Sequence, residues 1–177
     1  MQEQHYALKT ILESVFKEKN NKITKRLIHN NALLGGLSSK WIKFAFIIMP
    51  FAMYAAIFNP TSFKELGIAQ AIVFYIILLV FAMQIVVAST YFNNKKVVKT
   101  AAKAWEDYFP GVDFKMIISS GTTPYVDFKK HYELALKDGL VGDALKKRLD
   151  DAFRQMEEEN SILVEAMRRD KEKKEGK

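Results

Sequence analysis

The chain has 177 residues, a net charge of +7 and no cysteine. The missing cysteine excludes disulfides, thiolate metal sites and a cysteine nucleophile. The positive charge gathers beside two apolar runs, with no recognition motif and no interleaved aromatic platform, which argues against nucleic acid as a partner.

Residues 3 to about 30 read as an amphipathic helix. Leu8, Ile11, Leu12, Val15 and Phe16 follow helical spacing, Ile23, Leu27 and Ile28 resume it, and Lys9, Glu13 and Lys17 lie opposite. Segment 1–34 is thus expected to be a cytoplasmic N-terminal helix that packs on a partner helix or lies on a membrane surface. Gly35-Gly36 breaks the pattern as a linker joint, and Ser38 or Ser39 can cap the next helix.

Residues 35–92 hold the two apolar runs, about 41–58 and 68–92. A crossing of ~30 Å of hydrocarbon takes about 20 apolar residues. The second run meets this easily. The first is shorter, carries Pro50 at its centre, and starts with Lys40, Trp41 and Lys43, which suit the headgroup level. Lysine and arginine are in excess before the first run and, as Lys95, Lys96 and Lys99, after the second. The connector holds only Lys64 beside Glu65. The positive-inside rule then predicts an inner-membrane hairpin with both termini cytoplasmic. The first thirty residues lack a continuous apolar core, so no cleavable signal is expected. Lys40, Trp41, Lys43, Lys95, Lys96 and Lys99 are candidate topology determinants and contacts for anionic lipid.

Residues 93–177 are expected to form a cytoplasmic helical domain. Val97, Val98, Ala101, Ala102 and Trp105 extend the stripe of the second run, which predicts one helix from about Ile68 to Tyr108, roughly 60 Å long. Trp105, Tyr108 and Phe109 read as a small core. Pro110-Gly111 is a turn, Phe114–Ile118 is a short strand or helical turn, and Thr123-Pro124 opens a helix to about Lys137. A last helix is expected from about Asp143 to Glu172. Leu145, Leu149, Ala152, Met156 and Leu163 form a coiled-coil-like seam, a candidate oligomer interface, in which Glu159 spoils one core position and Phe153, Asn160 and Met167 offer a shifted stripe.

The chemistry-bearing residues are sparse. His5, His29 and His131 lack metal-ligand spacing, and Ser119-Ser120-Gly121-Thr122-Thr123 lacks the lysine and spacing of a phosphate loop. Asp150-Asp151 and Glu157-Glu158-Glu159 sit among lysines as solvated pairs. No cofactor, metal or enzymatic activity is expected. The informative polar groups lie in the second run. Gln70 and Gln84 are fourteen residues apart, near four helical turns, with Ile77 and Phe81 between them and Tyr91 and Lys95 continuing the face. Such a face points at protein or water. It is a helix seam in an oligomer, or a pore lining with Ile77 or Phe81 as an apolar constriction.

The sequence therefore predicts an all-α, two-pass membrane protein that self-associates as a non-enzymatic subunit of a membrane assembly. The alternatives are an oligomeric pore or membrane-perturbing effector gated by its cytoplasmic domain, and an anchor recruiting a soluble protein through its last helix. In layout only, the second resembles the small two-pass effectors of prokaryotic antiviral systems, and no residue motif carries that likeness.

Overall fold

The computed structural model describes residues 5–20 and 22–175. The fold is mostly helical: α1 (Leu8–Val15), a hairpin of β1 (Phe16–Lys19) and β2 (Lys22–Lys25), a 3-10 turn (Asn31–Leu34), α2 (Lys40–Ile57), α3 (Pro60–Glu106), α4 (Phe114–Ile118), α5 (Phe128–Lys137), α6 (Gly142–Glu159) and α7 (Ser161–Glu175).

Helices α2 and α3 are both long and apolar enough to cross a membrane, and only 6% and 11% of their most apolar stretches is buried within the chain. A soluble core helix would be covered by its own protein. Here Trp41, Phe51, Phe74, Phe81 and Phe92 stand open, so lipid or another protein must cover them. The pair is not a simple hairpin, because α3 is 47 residues long. Asn59 caps its start, accepting the amides of Thr61 and Ser62 at 3.0 Å. Gly67 breaks the helix at φ 68°, ψ 167°, a conformation suited to glycine. From Ile68 the helix is continuous to Glu106, close to the expected span.

One stripe of α3 serves two partners. Ala71, Leu79, Ala82 and Val86 face α2, where small residues permit close approach and Tyr75 meets Tyr54 and Phe58 at ring distances of 6.2 and 6.0 Å. Further along, Val97, Ala101 and Trp105 enter a core built with α1, β1, α4, α5 and α6. The Trp105 ring lies 4.4 Å from Phe109, 5.2 Å from Phe114 and 5.9 Å from Phe153, and Phe128 stacks on Phe153 at 5.6 Å. The expected small core at Trp105 and Phe109 is present and larger than foreseen.

The N-terminal segment differs from the helix expected over 3–30, of which residues 3, 4 and 21 lie outside the described part. The helix ends at Val15, and the chain turns back with Phe16 opposite Lys25 and Lys19 opposite Lys22. Asn20 takes φ 52°, which asparagine tolerates in a tight hairpin turn. Within the strands only Phe16 and Ile23 point inward, and the other positions are lysine, glutamate or threonine. Such a ribbon is marginal alone. Phe16 packs on Phe128 and Tyr132, and the Ile23 amide donates to the Glu133 carboxylate.

Other boundaries also move. The double glycine is a packed turn rather than a loose joint: Gly35 ends the 3-10 turn at φ 76°, and a Cβ on Gly36 would lie 2.4 Å from the Asn31 side chain. Segment 114–118 is a helical turn capped by Asp113. Helix α5 starts at Phe128, later than expected, because Tyr125 is held aside by a 2.6 Å hydrogen bond to Glu157 on α6. The last helix is two helices. Asn160 leaves helical geometry at φ −114°, and its side-chain amide donates to the carbonyls of Pro124 and Met156.

Candidate functional site

Two features outside the core stand out. The first is the face of α3 turned away from α2. Gln70, Ile77, Phe81, Gln84 and Tyr91 are all exposed there. Neither glutamine side chain has a hydrogen-bond partner among the described residues. A shallow groove beside Gln84 and Tyr91 is walled by Val80, Met83 and Val87. In hydrocarbon, an amide without a partner is costly. The seam expected on the last helix is placed differently. Leu145, Leu149, Ala152 and Met156 are buried in the core of their own chain, which already fills this face. An interface between copies would have to use other surfaces. Leu163 is half-buried on α7, and its neighbour Ile162 is 86% exposed.

The second feature is a basic recess where the apolar stretch of α3 ends. It follows from a clamp. The Asn94 side-chain Oδ1 accepts the His29 backbone amide at 2.8 Å, the Asn94 Nδ2 donates to the Leu27 carbonyl at 2.8 Å, and the Asn93 side chain donates to the His29 carbonyl at 3.0 Å. These bonds hold the chain after β2 against α3. Between them and α4 opens a recess of about 900 Å³. Lys25, Arg26, Lys95, Lys99 and Lys115 line it, and no carboxylate does. Lys25 is oriented by donating to the Ile118 carbonyl at 2.7 Å, and the Arg26 Nε donates to the carbonyls of Glu13 and Phe16.

His29 lines the recess while only 3% exposed, and both of its ring nitrogens are buried. Burial lowers its pKa below 6.5; Asn94 opposes the shift, and the positive Lys25 and Arg26 reinforce it. The ring is therefore neutral in the native state at neutral pH. The unfolded chain binds this proton more readily, so stability is intact above pH 6.5 and falls as pH drops from there through the lower native value. Thermal unfolding of wild type and His29→Phe across this window tests the point. The wild-type midpoint should fall more on acidification, and parallel curves would refute it.

Of the expected topology and lipid residues, Lys95 and Lys99 line the recess, and Lys40, Trp41, Lys43 and Lys96 are exposed. Sequence reading missed Asn93 and Asn94 altogether. It passed over Lys115, counted Lys25 and Arg26 only in the charge before the first apolar run, and weighed His29 only as a metal ligand. The adjacent asparagines just past an apolar run were the available signal. No protein-family model, curated protein or solved structure matches the chain.

Proposed function

We propose that this protein is a non-enzymatic, self-associating subunit of a membrane assembly. In this reading α2 and α3 cross the inner membrane, and the aromatic core and both termini are cytoplasmic. The observation that carries it is the unpartnered glutamine face of α3. Gln70 and Gln84 point away from the chain's own α2, along a stretch apolar enough for hydrocarbon. A second copy bringing the same face would give each amide a partner. The lysines flanking the apolar stretches favour the cytoplasmic placement.

The test is particle mass in nanodiscs over a range of protein-to-lipid ratios. Wild type should associate, and Gln84→Leu should weaken association by about threefold to fifteenfold per contact, the range of interhelical hydrogen bonds in membranes. A wild-type monomer at every ratio would sink this reading. The same face supports a second one, because Ile77 and Phe81 lie exposed between the glutamines as a constriction that could gate by dewetting. Loss of ion flux in Gln84→Leu with particle mass unchanged would favour this pore.

A further inference from the structure

We infer that the basic recess is a binding site for a phosphate group, supplied by the headgroup of an anionic lipid. The inference rests on the reading of α2 and α3 as membrane spans, for the lipid source but not for the phosphate chemistry.

Three independent observations meet at this place. The first is charge. Five cationic side chains from β2, the segment after it, α3 and α4 converge on one concavity without an acid among its lining residues. Like charges repel, and gathering them without compensation costs free energy that a bound anion returns. The second is His29. Its buried ring packs at the wall of the recess beside the positive Lys25 and Arg26, both of which act on it. An anion held by charge-assisted bonds from Lys25 and Arg26 would relieve the positive field at this ring, so His29 reports on occupancy of the recess. The third is depth. Tyr91 closes the apolar stretch of α3 and lines the recess, while Lys95 and Lys99 lie about one and two turns beyond it, some 6 and 12 Å along the axis. The headgroup layer of a bilayer extends roughly 5–8 Å beyond its hydrocarbon, the level of Lys95, and Lys99 reaches back to it from just outside. Exposed Leu27 and Tyr91 flank the opening and would meet glycerol and the first acyl carbons. A soluble phosphate ligand would use the same cations without this apolar rim.

The experiment uses the full chain in nanodiscs of phosphatidylcholine doped with phosphatidylglycerol. Lipid retained after transfer to neutral detergent is counted by native mass spectrometry. Wild type should hold phosphatidylglycerol. The pair Lys95→Gln and Lys99→Gln should lower retention by about thirtyfold, since each lysine near an anionic surface contributes roughly fivefold. The pair Lys137→Gln and Lys147→Gln removes equal charge from exposed positions outside the recess and should retain lipid as wild type does. In parallel, inorganic phosphate is titrated into the detergent-solubilised protein while the His29 ring resonances are followed. If phosphate shifts them and phosphatidylglycerol is not retained, the phosphate site stands and its ligand is soluble. If lipid retention and the His29 response are the same in wild type and the Lys95/Lys99 variant, the site is refuted. Release of the protein from membranes by alkaline wash would overturn the membrane reading, and the phosphate titration would still report on the recess. Two single variants guard against a lysine pair that fails to fold. His29→Phe keeps a ring in the core and should retain phosphatidylglycerol as wild type does, whereas Lys115→Gln, at an exposed position of the recess on α4, should lower retention about fivefold without loss of helical signal.

Discussion

Trp105→Ala should strongly destabilise the half of the protein built on the aromatic core. The indole is 1% exposed, packs against Phe109, Phe114, Phe128 and Phe153, and donates its N–H to the Val112 carbonyl at 3.0 Å. Truncation loses the transfer energy of the ring, leaves a cavity and orphans a carbonyl, a combined cost of about 3–5 kcal/mol. A domain of this size is stable by only ~5–15 kcal/mol. Urea unfolding of the detergent-solubilised protein, followed by protease susceptibility within α5 and α6, reads the change. Trp105→Phe keeps most of the ring and loses the hydrogen bond, so it should cost about 1 kcal/mol plus a smaller cavity term. Trp41, 70% exposed at the start of α2, supplies the control, and Trp41→Ala should leave the urea midpoint of this half nearly unchanged. Equal shifts for Trp105→Ala and Trp41→Ala would show that the core is not organised around Trp105.

The contrast between the two tryptophans reflects what the sequence could express. Long apolar runs carry their own signal, so α2 and the continuous part of α3 are legible to within a residue or two, as is the stripe through Val97, Ala101 and Trp105. Long-range pairing leaves weaker traces. The hairpin of β1 and β2 has one inward residue per strand, too few for a visible alternation, and its neighbours Ile11, Leu12 and Leu27 complete a false helical period. The break at Asn160 shows in the sequence only as a shift of apolar stripe, because it depends on a bond to the carbonyl of Pro124, thirty-six residues away. Leu145, Leu149, Ala152 and Met156 have a heptad spacing that fits a partner helix in another copy as well as it fits a core. Only the three-dimensional fold shows that α5 and the aromatic cluster occupy it. The glutamine face was legible because a polar residue in an apolar run is conspicuous. The recess was not, since its cations come from four separate segments joined by the Asn93-Asn94 clamp.

Asn94→Leu should release that clamp without melting the core. The substitution keeps the side chain's approximate size and removes two of the three bonds that hold the opposing chain, the acceptor for the His29 amide and the donor to the Leu27 carbonyl, leaving the Asn93 bond to the His29 carbonyl. The part-buried His29 amide left without a partner costs about 1–3 kcal/mol, and the exposed Leu27 carbonyl turns to water at little cost, so the local docking free energy should fall by roughly 1–3 kcal/mol. The penalty is escapable. Leu27 is 86% exposed and the residues around it form neither helix nor strand, so the segment can move into water and recover its hydrogen bonds there. Global stability should therefore fall by less than the local cost, in contrast to Trp105→Ala. Amide hydrogen exchange at His29 measures this directly, with about thirtyfold acceleration expected from a 2 kcal/mol loss. Asn94→Asp keeps the acceptor and loses the donor, so it should lie between wild type and Asn94→Leu. Because His29, Lys25 and Arg26 all belong to the released stretch or adjoin it, Asn94→Leu should also reduce phosphatidylglycerol retention while every recess cation is still present. Retention at the wild-type level, with His29 exchange accelerated, would mean that Lys95 and Lys99 on α3 hold the anion by charge alone and that the recess has no defined geometry.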